Sequence, residues 1–383
     1  MRKLMALILS VITCWIWSVP VQAAPAPAVR VFVDGAPVDF DVAPVVENGR
    51  MLVPVRALSE ALGFTVTWDE AEQLVSLTRD GTTIVVWIDS TKVLVGDKES
   101  HLEVPTRVVD GRTMVPLRFI SETLGSHVAW DGQQFAASII SDSSLRAMLL
   151  KALQAPVDQI TEGTFKTSMT IQGDEVPGGA ITLHSELSFT SHIYKNEMYV
   201  KTTALLPFAP ATVSEVAAYN GTIYTKASAS SPWTKAGTYD PVNISEASAF
   251  TGIEGLNGLD LQAEMLGAAR IAGVETVQVE GTSALRVTVD LTNVGLEQAL
   301  QQFSAADLVP GSSASIATTM ERFLMTYVMH PDTGFIYQTD IDLAVNLDIA
   351  DATGTGQMTV ALKGSAAAHP TTEPVQFPAG LTK

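Results

Sequence analysis

The chain has 383 residues, a formal net charge of −18 and a single cysteine. That length buries large cores without covalent staples and suits two or three domains, and one thiol excludes an intrachain disulfide. The acidic excess argues against nonspecific nucleic-acid binding, which needs a field of the opposite sign.

Arg2 and Lys3 precede an apolar run from Leu4 to Val19, followed by Pro20 and Val21-Gln22-Ala23. A basic start, an apolar stretch and small residues make the pattern of a secretory signal peptide over 1–23. The run is 16 residues long, below the roughly 20 that span a bilayer, so cleavage after Ala23 is expected and the mature chain carries no transmembrane segment. Cleavage takes away two cations and no acid, moving the charge from −18 to −20, and removes Cys14. Cys14 as a lipid-attachment site is the alternative, but Thr13 stands before it where a small residue is usual and the apolar run continues past it. The expected location is secreted or cell-surface. Residues 24–28, APAPA, read as a short stiff linker of the polyproline kind.

Val29 to Val33 alternates into Asp34-Gly35, a hairpin signal, and Val38 to Phe40 returns. Then comes an internal repeat. Gly49 to Asp69, GRMLVPVRALSEALGFTVTWD, recurs 62 residues later as Gly111 to Asp131, GRTMVPLRFISETLGSHVAWD, with 12 of 21 positions identical. One structural unit is used twice. Each copy reads as strand, helix, strand. Pro54 and Pro116 suit a strand's end or a helix's first turn. Leu58, Ala61 and Leu62, or Ile120, Thr123 and Leu124, make one narrow helical stripe. Gly63 and Gly125 end the helices, and Val66 with Trp68, or Val128 with Trp130, alternate as in a half-buried strand. Between the copies, Leu74 to Leu77 and Thr83 to Ile88 read as strands around Asp80-Gly81.

Arg56 with Glu60, and Arg118 with Glu122, stand one helical turn apart. Such pairs contribute only about 0.2–0.5 kcal/mol on an exposed helix, and no nucleophile or metal-ligand set accompanies them. Arg56, Glu60, Trp68, Asp69, Arg118, Glu122, Trp130 and Asp131 are therefore read as structural members of the repeat. The two copies, NGRMLVPVRALSEALGFTVTWD and DGRTMVPLRFISETLGSHVAWD, resemble the copper amine oxidase N-terminal-like domain, a module of secreted and surface proteins of Gram-positive bacteria. The resemblance covers roughly 29–140 and sets a domain at 29–141. It does not imply copper or oxidation, because in the oxidases this domain is an accessory stalk remote from the active site. The catalytic domain would bring a His-x-His pair and an Asn-Tyr motif; the chain has no His-x-His, and its nearest approach to the second is the reversed Tyr219-Asn220. No cofactor and no metal are expected.

Ser143 to Gln154 forms an amphipathic helix with Leu145, Met148, Leu149 and Leu153 on one face, stopped by Pro156. From Thr164 the pattern becomes strict alternation: Phe165, Thr167, Met169 and Ile171, then Ile181, Leu183, Leu187 and Phe189. Further strands are predicted at 197–202, 216–219, 222–226, 276–280 and 285–291, with one helix between them at 295–303. Phe323, Met325, Tyr327 and Met329 lead to a turn at Pro331-Asp332-Thr333-Gly334, a long strand returns through Ile349, and Met358 to Leu362 closes the set. YKNEMYV (194–200), YNGTIYTKASASSPWTK (219–235), the HPDTG turn and VQFP (375–378) resemble the LolA/LppX-like lipoprotein superfamily over roughly 145–383. That resemblance implies a curved, half-open antiparallel sheet covered by helices and often holding lipid. The fold class expected is thus α+β: a duplicated strand-helix-strand domain with a mixed sheet, then a curved antiparallel half-barrel sheet over 143–383 covered by a few helices.

Other candidate sites are bland. The six histidines (101, 127, 184, 192, 330 and 369) lack metal-ligand spacing, and Asp340 with Asp342 lie on a polar strand face. The serine-rich stretches carry no Gly-x-Ser-x-Gly context, and the glycine-rich ones no phosphate-loop order. No enzyme motif stands, so the protein is expected not to be an enzyme. ALLPFAPA (204–211) is an apolar loop, either a lip over a pocket or a segment packed under a neighbour. Two functions follow. In the first, the C-terminal domain holds a lipid or other amphiphile, lined by Phe323, Met325, Tyr327, Phe335, Tyr337 and Ile341, while the repeat domain mediates attachment or interaction at the envelope. In the second, the chain is a structural or adhesive envelope protein whose repeat domain binds cell-wall polymer.

Overall fold

The computed structural model describes residues 29–154, 158–173, 176, 179–195, 197–239, 265–293, 315–350, 355–378 and 381. The signal peptide, the linker, Pro156 and the helix expected at 295–303 lie outside them. The N-terminal part runs β1 (Arg30–Val33), β2 (Ala36–Pro37), β3 (Val45–Glu47), β4 (Arg50–Pro54), α1 (Val55–Ala61), β5 (Thr65–Asp69), β6 (Leu74–Arg79), β7 (Thr82–Trp87), β8 (Lys92–Val95) and β9 (Lys98–His101). It continues through β10 (Arg107–Val109), β11 (Arg112–Pro116), α2 (Leu117–Thr123), β12 (Ser126–Asp131) and β13 (Ala136–Ser141).

The repeat folds as its residues dictate. Pro54 and Pro116 sit at the N-caps of the two seven-residue helices, where a missing N–H costs nothing. Leu58 and Ile120 are fully buried beneath them, and Gly63 and Gly125 turn the chain out at φ +79° and +78°. β4 and β11 pair antiparallel with Val53 opposite Val115, Leu52 opposite Pro116 and Pro54 opposite Met114. Each residue thus faces the counterpart of its own mirror position, so a local two-fold axis passes between Val53 and Val115. The two copies form an internal dimer.

That dimer is not one mixed sheet, as expected, but three sheets: β10-β11-β4-β3 across the axis, β5-β6-β7-β8-β9 on the first copy and β12-β13-β1-β2 on the second. Only the last is mixed, because β1 runs parallel to β13. Val31, Leu58, Leu77, Ile84, Val115, Ile120 and Ile139 share the buried core between them.

α3 (Asp142–Gln154) follows β13 directly. Then come β14 (Gln159–Gly173), β15 (Ala180–Tyr194), β16 (Glu197–Leu205), β17 (Thr212–Tyr219), β18 (Thr222–Lys226), β19 (Thr234–Thr238), β20 (Arg270–Val279), β21 (Thr282–Asp290), β22 (Ser315–Met329), β23 (Ile336–Ala350) and β24 (Thr355–Pro370). All eleven strands join one antiparallel sheet in the order β19-β18-β17-β16-β15-β14-β24-β23-β22-β21-β20. The expected α+β class is therefore corrected: the described residues are mostly strand, and the large sheet is not a half-barrel roofed by several helices. Fifteen-residue strands satisfy their backbones laterally, with register shifts between β22 and β23 at Met320/Arg322 and Val328/Met329. Of the named helices α3 alone lies on this sheet, with a helical turn at 265–268 beside it.

Leu145 and Leu149 of α3 are fully buried against Val287, Val289, Phe323 and Tyr327, and Ala129 and Ile140 of the repeat domain join the same cluster. The junction is thus apolar and continuous. Ser283 Oγ on β21 also donates to the Asp131 carboxylate, and Arg146 of α3 donates to the carbonyls of Leu266, Gly267 and Ala269.

Candidate functional site

The register of the large sheet sorts its side chains into two unlike faces. One is apolar. Across β15, β14, β24 and β23 it carries the row Ile181, Ile171, Met358 and Leu347, and next to it the row Leu183, Met169, Val360 and Val345. α3 covers the other end of this face, around Phe323 and Tyr327. Eight residues of β23, about 27 Å of strand, separate the Tyr327 row at Thr339 from the row of Leu347. Beyond α3 the apolar face is open among the described residues: Ile171 is 37% exposed, Ile181 42% and Leu187 37%.

Between the covered and open parts lies an aromatic floor. Phe165 and Phe189 stack with centroids 5.9 Å apart and planes 7° from parallel. Each ring lies across a glycine on the neighbouring strand, Phe165 over Gly364 and Phe189 over Gly163. A Cβ at Gly364 would stand 1.9 Å from Phe165 Cδ1, and one at Gly163 2.4 Å from Phe189 Cε1. The glycines let the rings lie flat on the sheet instead of standing out from it.

The lining expected from the sequence is divided. Phe323 and Tyr327 are buried beneath α3, and Met325 and Ile341 pack against the same cluster. Burial pushes the Tyr327 hydroxyl up to about 12, and that hydroxyl points to Met325 Sδ at 3.4 Å. Phe335 and Tyr337 are half-buried and meet edge to face at 5.1 Å. Four of the six thus pack in the helix-covered cluster, whereas Ile171, Ile181 and Leu187 lie in the open part with Phe165 and Phe189 at its border. Alternation already placed the latter on one strand face, but only the pairing register shows which residues lie uncovered.

The opposite face is polar. Asp342 sits between Arg322 at 2.8 Å and Lys363 at 3.1 Å; burial opposes its ionisation, but hydrogen bonds from both cations outweigh that and hold the carboxyl below its usual range. Glu215 is buried, accepts from Tyr199 Oη at 2.7 Å and Lys226 Nζ at 3.2 Å, and is likewise lowered: burial raises it, and Tyr199 and Lys226 more than reverse the effect. Burial, with Glu215 next, raises the Tyr199 hydroxyl. Lys226 also lies 5.9 Å from the centre of the Trp233 ring. Each charge here is partnered, which is the arrangement of a structural cluster.

Two loops complete the picture. The 204–211 loop does not pack under a neighbour: Leu205 and Leu206 are half exposed and Phe208 is 97% exposed at the tip between β16 and β17. At the β22–β23 turn His330 Nδ1 accepts from the N–H groups of Asp332 and Thr333. His127 Nε2 meets Asp142 at 2.6 Å, and His192 Nε2 the carbonyl of Glu373 at 3.0 Å. Among the described residues no group of three or more His, Cys, Asp or Glu is placed to hold a metal, and no helix is long and apolar enough to cross a membrane.

The repeat-motif residues fall into two kinds. Arg56–Glu60 at 3.7 Å and Arg118–Glu122 at 3.1 Å are exposed pairs. Asp69 and Asp131 cap identical turns, Asp69 accepting from the N–H of Ala71 and Glu72 and Asp131 from those of Gln133 and Gln134. Trp68 and Trp130 are both partly exposed; Trp130 meets Phe135 edge to face at 6.4 Å.

Residues 32–139 match the copper amine oxidase N-terminal domain family. No curated protein matches the chain. Among solved structures, the ywiB protein from Bacillus subtilis is 12% identical, covers 54% of this chain and 92% of its own, and has a TM-score of 0.14. A structure of lipid–protein interactions in lipovitellin is 10% identical, with 58% of this chain and 26% of that one covered and a TM-score of 0.25. Neisserial surface protein A is 7% identical, with 54% and 96% covered and a TM-score of 0.11. At such scores these likenesses carry no argument about fold or function.

Proposed function

We propose that the chain is an exported, non-enzymatic binding protein of the bacterial surface, of Gram-positive type, whose large sheet holds a lipid or other amphiphile on its apolar face. The repeat domain mediates attachment or interaction at the envelope. The observation that carries this reading is the four-strand-wide apolar surface beyond α3, with Ile171 and Ile181 exposed on it. A soluble chain rarely leaves contiguous apolar surface bare without something to cover it.

The dimensions suit an acyl chain. From the row of Phe165 to that of Ile171 is six residues, about 20 Å of strand. Covering about ten methylenes there contributes about 8 kcal/mol before the costs of binding. The flat pair Phe165 and Phe189 gives the chain a smooth bed, and the polar opposite face keeps the sheet in water. The apolar tip of Leu205, Leu206 and Phe208 supplies a surface by which such a carrier meets a bilayer.

The test is mass spectrometry of an organic extract from residues 24–383 purified without detergent. A defined lipid near one equivalent per chain is the expected result. An empty extract from cooperatively folded protein contradicts the reading.

A further inference from the structure

The internal two-fold axis makes each half of the repeat domain a control for the other, and away from the junction with the large sheet one difference between the copies stands at a groove. A groove of about 720 Å³ runs between the copies, with Trp68 of the first on one side and Val108 and Arg112 of the second on the other. Trp68 is 44% exposed and Val108 52%. Around them stand Asp39, Asp41, Arg56, Glu60 and Gln73. Arg112 holds Asp41 at 2.6 Å, and that hydrogen bond keeps the Asp41 carboxyl below its usual range.

The axis maps Trp68 onto Trp130, Arg56 and Glu60 onto Arg118 and Glu122, and the Arg112–Asp41 pair onto Arg50–Glu103, which is also paired. It maps Gln73 onto Phe135. The two residues occupy the same backbone position after the same aspartate-capped turn, at φ +50° and +49°. In the second copy the Phe135 ring meets Trp130 edge to face at 6.4 Å and leaves it 38% exposed; in the first, Gln73 stays on the groove wall and donates to the Glu70 carbonyl at 2.8 Å. Trp68 has no aromatic or cationic ring partner among the described residues.

We infer that the Trp68 groove is a glycan-binding site, taking an uncharged pyranose oligosaccharide with the apolar face of one ring against the indole. The surrounding groups decide the class. Carboxylates, guanidinium groups and a carboxamide within one groove offer donors and acceptors together, which a ring of hydroxyls satisfies at every edge. An acyl chain would strip water from Asp39, Arg56 and Glu60 without replacing it. A phosphate would meet three carboxylates, Asp39, Asp41 and Glu60, against two guanidinium groups that already face Glu60 and Asp41. The groove's volume lies within the range of small-ligand sites, about 300–1,000 Å³. This site is separate in domain and ligand from the large sheet's apolar face, and it stands whether or not that face carries a lipid.

The experiment titrates residues 24–383 with two neutral probes, the β-1,4-linked N-acetylglucosamine tetramer and cellotetraose, by calorimetry. Binding of at least one is expected, weakened at least tenfold by Trp68→Ala and left unchanged by Trp130→Ala. Gln73→Phe is the decisive variant: the matching position of the second copy carries phenylalanine at the same φ, so the chain should fold normally, with a ring set against the indole edge in place of the sugar and binding lost. Failure of both sugars to bind the folded wild-type chain, or binding that survives Gln73→Phe or Trp68→Ala, overturns the assignment.

Discussion

Asp69 and Asp131 hold the same place in the two copies and cap the same turn, yet only Asp131 also accepts from Ser283 across the domain junction. That hydrogen bond, chiefly, lowers its carboxyl below the usual range. Removing each side chain therefore separates a local role from a joining one. Asp131→Ala is expected to cost about 1–3 kcal/mol in denaturant unfolding and Asp69→Ala about 1 kcal/mol or less; equal costs would remove Ser283 from the account. Glu215 gives a pH-dependent case. Its folded carboxyl lies below the unfolded value of about 4.3, so its stabilisation is present above that value and is lost as pH falls through the lowered one. Glu215→Gln leaves the Lys226 ammonium half-buried without its partner and should cost about 1–3 kcal/mol at pH 7. Between pH 7 and pH 3 the variant should lose less stability than the wild type, as followed by urea melts. At this scale the duplication made the role of the aspartates legible, because both copies end on Trp-Asp before a turn. Glu215 was not legible: its partners Tyr199 and Lys226 come from the strands on either side, and no local spacing announces them.

The strands themselves were readable from period-2 alternation, and the repeat helices from proline, stripe and glycine in order. What alternation does not encode is register. Phe165 and Gly364 lie far apart in the chain, and only the antiparallel pairing of β14 with β24 sets the ring on the glycine. Gly364→Ala places a methyl inside the Phe165 ring, so a cost of about 1–3 kcal/mol from overpacking is expected. Phe165→Ala in the same chain should recover part of it, and a double-mutant cycle measures the coupling; simple additivity would mean that the ring does not lie there. α3 was also evident as an amphipathic helix, and so was the aromatic-rich strand carrying Phe323 and Tyr327. That the two cover each other was not, which is why the richest apolar strand drew attention as a ligand lining. Leu149→Ala should cost about 2–5 kcal/mol in thermal or denaturant unfolding, because Leu149 is fully buried between α3 and the large sheet. The expected roof of several helices came from a family resemblance; periodicity offered two stripes, of which 143–154 is α3 and 295–303 lies outside the described residues.

On the scale of the whole molecule, the differences between the two copies record where the C-terminal sheet docks. Thr67 is exposed in the first copy, whereas its counterpart Ala129 is buried in the junction cluster. A sequence comparison within the repeat displays that substitution, but not what covers it. Phe208 shows the reverse case, a large apolar side chain with nothing folded over it. Phe208→Ser should leave the unfolding free energy within about 0.5 kcal/mol of wild type, while a larger loss would show that the tip packs in solution. The central claim is that the open apolar face beyond α3 binds an amphiphile, and the most direct measurement is to map where one binds. A photoactivatable palmitate analogue, crosslinked to residues 24–383 and located by peptide mass spectrometry, should label β14, β15, β24 and β23 at the apolar positions from Thr167 to Ile171, Ile181 to Leu187, Met358 to Leu362 and Leu343 to Leu347. Labelling confined to the polar face or the 204–211 tip, or none above the level of a photolabel lacking the acyl chain, would contradict it.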